Sequence, residues 1–505
     1  MERLAFTYLR GEHYTRPGVV EALLELQGVT DVLPAYESTL VEFDATNLTP
    51  AKVTSAADRA GEREAAAAPR EVEIPVLYGG EHGPDLGDTA LAAGLSDAEA
   101  AELHASAEYV VRALGFAPGF PFMAGVPELL RRPRMPAPRG RVPAHSVGVA
   151  GHQTGVYTVE TPGGWNLIGR SLRAVYDPHR DEPFLLKAGD RVRFSVASAG
   201  DGAVPEPPGV LPLLPQEPAG PVFSVLRAGL SDIVVDAGRF LVGRFGLARG
   251  GPVDAPAARL ANLLVGNHPY APLLEMTATG PTLAALADIV VAVTGPALVP
   301  VVGGEVMDAY RGFRVTKGGE LSLKPTGVGA RSYLAIAGGL ESEAFLGSAS
   351  TDTRGLIARP LIAGDLLGAA TSRGAVPGRS FRPHEFRVVR HAGRSVSRPV
   401  ATVRIVRGPQ FHPDAWQQLL SGQFEVAAAS RVGLRLAGRS VPGGEVTSEG
   451  VPLGAVQVPP GGDPLVLLHD RGTLGGYVKP AVVVPSDLAV LAQLREGDRL
   501  RFRAA

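Results

Sequence analysis

Cysteine is absent from all 505 residues, which excludes disulfides, thiol nucleophiles and thiolate metal sites. Lysine is nearly absent: only Lys52, Lys187, Lys317, Lys324 and Lys479 occur, against 44 arginines. None lies in a G-K-[ST] context, so a Walker phosphate loop is excluded, and no H-E-x-x-H pair or G-x-S-x-G elbow supports a zinc or serine hydrolase. Long hydrophobic runs are missing too. The longest, Ile289 to Gly303, is interrupted by Thr294, Gly295, Pro296 and Pro300 and is rich in valine, which fits strands better than a membrane span. The start, MERLAF, carries Glu2 and no apolar signal core, so the expected location is cytoplasmic. An excess of charge of either sign is also lacking. A net charge of -2 argues against nucleic acid and for a small-molecule or protein partner.

Glycine and proline are abundant, at 63 and 44 residues, which indicates turn-rich β architecture instead of long helices. The length is too great for one core and implies several folding units. The expected divisions are a small α+β unit at 1–75, a β domain at 76–200, a Pro-rich spacer at 201–221, a β-rich domain at 222–375 and a second β domain at 376–505. In the first unit, a helix is expected over Val19–Leu26, a strand pair around Asp31–Asp44 and an alanine-rich helix over Ala51–Ala68. Ser96 is placed as the cap of a helix whose inner stripe is Ala100, Leu103, His104 and Ala107. Seven prolines in PEPPGVLPLLPQEPAGP read as a semi-rigid spacer. A weaker break falls between Thr371 and Pro399.

A repeat runs through the chain. AGDRVRF at 188–194, AGDLLGA at 363–369 and EGDRLRF at 496–502 each read as a tight turn entering a closing strand. Before the outer two copies, TPGGWNLIGR and TLGGYVK both set a Gly-Gly-aromatic turn between strands. Duplicated β-barrels would produce this pattern; chance similarity in a Gly-rich chain is the alternative.

Four stretches are candidates for chemistry. In GFAPGF, the turn from Gly115 to Phe120, with Phe116 and Gly119 as its candidates and Arg131, Arg132, Arg134 and Arg139 following, suits a carboxylate, phosphate or ureido oxygen, or else it is a rigid corner with a solvated basic rim. His152, Gln153, Tyr157, Trp165 and Asn166 combine a flat apolar ring with amide and hydroxyl groups, as a clamp for a planar amide would; a packed tryptophan is the rival. Asp236, Arg239 and Asn262 flank a Gly-rich loop entering a helix at Ala255–Leu264, with Asp254 as its cap and Pro256 in its first turn. Finally, LLHDRGTLGGYVKP gathers Asp470, Arg471, Tyr477 and Lys479, where a lysine beside an acid and an arginine either polarises a carbonyl or forms a salt bridge.

These stretches resemble a known family. IPVLYGGEHGPDL, GFAPGFPFMAG and PAHSVGVAGHQTGVYTVETPGGWNLIGRS resemble allophanate hydrolase subunit 1, which is also the B subunit of 5-oxoprolinase. LVGNHPYAPLLEMTATGP, RSYLAIAGGL, LGSASTDTRG and SEGVPLGAVQVPPGGDPLVLLHDRGTLGGYVKP resemble its partner, allophanate hydrolase subunit 2 or the C subunit of 5-oxoprolinase. The resemblance implies a fusion of the two, with cyclophilin-like β-barrels in both halves. It implies ATP-dependent opening of 5-oxo-L-proline to glutamate with a separate third protein, the A-type subunit, ATP being used by the complex. It adds Arg170 to the substrate-binding set, with Asp470, Lys479, Tyr477 and His152 as catalytic candidates and no metal. Two alternatives are a carboxyltransferase for urea-type amides, with biotin supplied in trans, and a binding protein that inhibits a histidine kinase. A homo-oligomer is compatible with each. On this reading Trp165→Ala and Lys479→Ala abolish activity without unfolding. Departures from the family pattern are Val235 before Asp236, Ala358 before Arg359, His145 in place of Gly and Leu474 in place of Thr.

Overall fold

The computed structural model describes residues 4–63, 69–198, 200–371 and 400–505. At the N-terminus, strands Leu4–Arg10, Ser38–Asp44 and Val29–Pro34 form an antiparallel sheet with Ser38–Asp44 in the centre. Helices Pro17–Leu24 and Pro50–Arg63 cover it. Pro17 sits in the first turn, where its missing N–H is harmless. Val19, Val20 and Leu23 then meet Val32, Val41 and Phe43 of the sheet and Val53 and Ala57 of the second helix. The first helix therefore begins and ends two residues before the expected limits, and residues 64–68 of the expected second helix lie outside the described residues.

Strands Asn166–Ser171, Glu71–Tyr78, Arg191–Val196, Glu108–Leu114, Pro121–Ala124, Gln153–Val156 and Ser146–Ala150 close, in that order, into a seven-stranded barrel. Helix Asp97–Ser106 packs into the same core. Ser96 accepts from the Glu99 backbone N–H, and Glu99 accepts in return from the Ser96 N–H at 2.8 Å, which completes a capping box. Ala100, Ala101, His104 and Ala105 form the buried face, whereas Leu103 and Ala107 pack at its margin. His104 bonds Tyr78 and Thr154 through its two ring nitrogens, and burial pushes its pKa down to about 3.

The second barrel follows the same order: Leu474–Val483, Ala401–Arg407, Arg499–Ala504, Gln423–Ala429, Gly433–Gly438, Leu465–Leu467 and Ala455–Val458. In both barrels the last strand lies parallel to the first, Arg191–Val196 beside Glu71–Tyr78 and Arg499–Ala504 beside Ala401–Arg407. The AGDRVRF and EGDRLRF turns deliver these closing strands. The middle copy, AGDLLGA, instead feeds Leu366–Gly368, an edge strand of a six-stranded sheet.

That sheet packs on a five-stranded one, Ser231–Val235, Leu273–Thr277, Arg331–Ile336, Ile289–Thr294 and Gly312–Val315, around Phe223, Leu274, Leu283, Val291, Leu321 and Leu334. Helix Ala255–Leu264 lies on the outer face of the smaller sheet, capped by Asp254, whose Oδ1 accepts from Ala257 N–H at 3.1 Å. Among the described residues no helix is long and apolar enough to cross a membrane.

The proline-rich stretch is a packed strap, not a free spacer. Leu211 exchanges backbone bonds with Leu356 and Ala358, Leu213 is 3% exposed, and its carbonyl accepts from Glu343 N–H at 2.7 Å. Proline favours an extended chain, but the leucines supply apolar surface that the seam between the halves buries. That seam contains one continuous apolar cluster, with Phe120, Tyr157, Trp165 and Tyr176 from the first half meeting Leu247, Phe345, Ile357 and Leu474 from the second. Residues 372–399, which hold the expected second break, lie outside the described residues.

Candidate functional site

Three loops meet where the first half, the double-sheet domain and the second barrel come together. They are the GFAPGF turn, the STDTRG loop at 350–355 and the HDRG loop at 469–472. Arg354 spans them, donating from Nη2 to the Phe116 carbonyl at 3.0 Å and from Nη1 to the Asp470 carbonyl at 3.5 Å. Phe116 is held at φ 66°, and Leu346, Leu356 and Ala358 at 48°, 56° and 55°. Each non-glycine residue in this region costs about 1 kcal/mol or more, and such strain concentrates where geometry serves a site. Gly119, at φ 69°, donates its N–H to Phe245 O at 2.7 Å, and an added Cβ would stand 3.1 Å from Tyr176 and Phe184. Glycine is required there to let the turn close against the second half.

Charged groups surround the junction. Arg431 holds Asp470 through Nε at 2.7 Å and Nη2 at 2.9 Å, and reaches Glu275 with Nη1 at 2.5 Å. Burial opposes ionisation of Glu275, but Arg431 and Arg331 outweigh it and hold its pKa below the ordinary value. Asp470 is therefore an ion-pair partner first. Next to it, His469 is buried, and desolvation together with Arg431, Arg249, Arg471 and Arg331 keeps it neutral. Arg471 is 4% exposed and bonds Glu42 of the N-terminal sheet at 2.7 Å and Val451 O at 2.7 Å. It staples the two halves.

Arg239 is fully buried. It donates from Nε to Phe345 O at 3.1 Å and from Nη2 to Ser350 O at 2.5 Å. Asp236 accepts from Ser348 and Ser350 hydroxyls and from the N–H groups of Gly238 and Ala349, so it shapes the loop that carries Arg239. Asn262 ties its helix to the following loop through Ala271 O at 2.8 Å and Asn267 at 3.0 Å. Asp236 and Asn262 also line a shallow surface depression with Arg259 and Tyr270. It adjoins the STDTRG loop through the Asp236–Ser350 hydrogen bonds, and the side chains of Asp236 and Asn262 are both engaged in bonds within the protein.

The remaining expected residues divide by face. Trp165 is 6% exposed and Tyr157 1%; both pack edge-on against Phe120 in the seam cluster. Burial pushes the Tyr157 hydroxyl up to about 12. Asn166 donates to Pro133 O at 2.9 Å and Val149 O at 3.2 Å, which orders the loop before it. Arg139 pairs with Asp85 at 2.6 Å. Gln153 lies half-buried on the barrel, and His152 is exposed beside the Tyr36 ring. Arg170 is half-buried, and desolvation lowers its pKa. Lys479 is fully buried, its Nζ 3.1 Å from Glu449 and 3.0 Å from Tyr477 O, while the Tyr477 ring is 37% exposed. The three loops thus bring Phe116, Gly119, Asp470 and Arg471 to one junction, and Arg239 joins them through Ser350 O. Trp165 and Tyr157 back it from the seam; Lys479, His152 and Gln153 belong to other surfaces.

Sequence reasoning singled out the STDTRG stretch as a resemblance without assigning its residues. Arg354, Asp352, Arg431 and Glu275 are therefore additions. The signal available was two charged residues, Asp352 and Arg354, inside a Ser/Thr/Gly-rich loop, but Arg431 and Glu275 stand alone in ordinary strands and turns.

Two seven-stranded barrels of one topology, joined through a double-sheet domain and meeting in a charged junction, define a duplicated-barrel protein. The chain belongs to the carboxyltransferase domain family: residues 245–504 match the model of subdomains A and B, and residues 18–186 that of subdomains C and D. It is 48% identical over 180 residues to the B subunit of 5-oxoprolinase from Escherichia coli O157:H7, covering 35% of this chain and 78% of that one. It is 33% identical over 301 residues to the C subunit of 5-oxoprolinase from Escherichia coli K12, covering 56% of this chain and 90% of that one. The solved structure of TTHA0988 superposes with a TM-score of 0.91 at 48% identity, over 99% of this chain and 100% of that one. The two regions of similarity follow one another as a B-type half and a C-type half.

Proposed function

We propose that this chain is a fused B and C component of an ATP-dependent 5-oxoprolinase, opening the lactam of 5-oxo-L-proline to glutamate together with a separate A-type subunit. The observation that carries this reading is the consecutive similarity to the B and C subunits, with 78% and 90% of their lengths covered in one chain. The seam is consistent with it: Arg471–Glu42 at 2.7 Å and Arg10–Glu449 at 3.2 Å join the halves through side chains of both. Lactam opening moves negative charge onto the carbonyl oxygen as water adds to the carbonyl carbon, and the ring nitrogen takes up a proton as the C–N bond breaks, so it needs cations at that oxygen and a proton donor at the nitrogen. Arg239 and Arg354 supply the first at the junction, and Asp352 and Asp470 are the nearby acids. ATP is consumed by the assembled complex.

The test is glutamate production from 5-oxo-L-proline and ATP, with and without the added A-type subunit. Turnover is expected only from the pair. Full activity of this chain alone removes the partner requirement, and none with the partner removes the oxoprolinase reading.

Membership of a carboxyltransferase family favours one other reading, carboxyl transfer to a urea-type amide. None of the five lysines lies in a biotinylation context, so carboxybiotin would arrive from another protein. Biotin binding to the purified chain by calorimetry, followed by urea carboxylation, separates this reading from the first.

A further inference from the structure

The arginines of one basic stretch take no part in the three-loop junction. From residue 129 to residue 159 there is no aspartate or glutamate, but five arginines, Arg131, Arg132, Arg134, Arg139 and Arg141, in a chain whose net charge is -2. Two of the five are satisfied within the fold, Arg139 by Asp85 and Arg141 by Glu160. Among the described residues no carboxylate lies within 4.0 Å of Arg131, Arg132 or Arg134, nor of Arg112 on strand Glu108–Leu114. Unpaired like charges brought together repel one another, so a fold that gathers them leaves room for an anion.

Three of these guanidinium groups are gathered around one ring. Tyr36, in the hairpin between strands Val29–Pro34 and Ser38–Asp44, reaches over to the first barrel, its ring centroid 6.2 Å from Phe122 and 6.4 Å from His152. Burial raises the pKa of its hydroxyl, and the charges opposing this are Arg134 and Arg112, which places both beside it. Arg112 is brought there by a slip in strand pairing. Val111 faces Met123 and Ala113 faces Phe122, so Arg112 is the extra residue of a bulge, and it is exposed. Arg132 is fixed at the same turn as His152: its carbonyl accepts from Gly151 N–H at 2.6 Å, and its Nε is enclosed without a partner. Arg134 is exposed and Arg132 half-buried, so none of the three guanidinium groups is sealed in the core. The acids nearest in sequence, Glu37 and Glu128, are exposed and pair with none of them.

Charge selects the ligand. A carboxylate answers one positive charge and a single phosphate about two at neutral pH, whereas a di- or triphosphate answers three and offers enough oxygens for three planar forks. We propose that Arg112, Arg132 and Arg134 form a binding site for a di- or triphosphate group, around the Tyr36 ring on the surface of the first barrel. The site is separate from the junction and does not rest on the oxoprolinase reading. It adjoins that junction, because Arg134 also acts on the Tyr157 hydroxyl and the Tyr157 ring lies 6.3 Å from Phe116. Two sources carry such a group, inorganic polyphosphate and a nucleotide.

The test is calorimetric titration of the full chain, at fixed ionic strength and without magnesium, with phosphate, pyrophosphate, tripolyphosphate, ATP and citrate. Affinity is expected to rise at least about tenfold from phosphate to tripolyphosphate, with citrate about tenfold weaker than tripolyphosphate. Arg112→Gln and Arg134→Gln should each weaken tripolyphosphate about tenfold, whereas Arg141→Gln, in the same basic stretch but paired with Glu160, should leave it within about twofold. Each variant is read alongside its melting temperature. ATP binding as tightly as tripolyphosphate identifies a nucleotide as the source, and tripolyphosphate binding at least about tenfold tighter identifies the inorganic chain; either result supports the site. No saturable binding of tripolyphosphate, citrate binding as tightly, or unchanged binding by the folded Arg112→Gln and Arg134→Gln variants would overturn it. The two readings fail separately. Tripolyphosphate binding without 5-oxoproline turnover leaves the site standing, and an Arg112→Gln, Arg134→Gln double variant that keeps full turnover with the A-type subunit after losing tripolyphosphate shows that lactam opening does not use it.

Discussion

In the first barrel Asn166 pairs with Val149 and Gly169 with Val147; in the second Val478 pairs with Val458 and Ala481 with Val456, with the register slip at the same point. The flanking strands agree as well, since Gly163 faces Arg139 and Gly475 faces Glu449. Trp165 therefore corresponds to Tyr477, Leu167 to Lys479 and Arg139 to Glu449. Even the support is repeated. Asp85 accepts from Leu167 N–H at 2.6 Å and pairs with Arg139, while Gln410 accepts from Lys479 N–H at 3.1 Å and bonds Glu449 at 2.6 Å. The scaffold is duplicated, but its chemistry is transposed. An acid and a base flank an apolar Leu167 in one barrel, whereas in the other an amide and an acid flank a buried lysine. The first barrel thereby presents an aromatic face to the seam, and the second an ion pair that grips Arg10 of the N-terminal sheet. Equivalent turns therefore do not make equivalent sites.

The sharpest way to break this comparison is Trp165→Ala. Trp165 fills the seam cluster, so its loss should destabilise the protein by about 3–5 kcal/mol in denaturant unfolding. The buried ring thus adds a stability cost to the expected loss of activity, and the same measurement reads whether the variant stays folded. Lys479→Ala leaves the buried Glu449 with Arg10 as its remaining cation and should cost about 3 kcal/mol. Taking Lys479→Leu from the first barrel and removing the acid's charge with Glu449→Gln should recover most of that loss; if it does not, the correspondence with Leu167 is energetically empty.

A smaller effect concerns the seam's acid side. Asp31 is buried, accepts from Gly243 N–H of the second half at 2.9 Å, and is pushed up to about 7 by burial and then by Glu42. Its folded pKa lies above the unfolded value near 4, so the folded state holds more protons between those limits. Stability should accordingly fall as pH rises from about 4 to 7. Asp31→Asn retains the Oδ1 acceptor and should remove that slope, gaining on the order of 1–3 kcal/mol at pH 8. An unchanged pH profile of the melting temperature would remove Asp31 as its cause. Smallest of all, Tyr477→Ala should change stability by under about 1 kcal/mol, because its ring is 37% exposed. A loss as large as that for Trp165 would show that the two turns are energetically alike after all.

Much of this was legible in the chain. The capping box at Ser96, the Asp254 cap, the broken valine run at 289–303 and the two barrel-closing turns are local signals, with periodicity or turn chemistry sufficient to place them. The site was legible only in parts. GFAPGF and HDRG stood out because glycine and charge are dense there, but Arg431 and Glu275 meet across 156 positions, and Arg354 and Phe116 across 238. No local pattern encodes such a pairing.

Sequence alone determined the duplicated β plan, the family and the absence of thiol chemistry, because these depend on composition, order and short-range turn geometry. Tertiary structure decided which of two equivalent turns became packed core and which became ion pair, that the proline stretch is a strap, and that Arg239 and Asp352 face one junction. Those outcomes turn on which surfaces are buried against each other, and a side chain's role follows from what covers it.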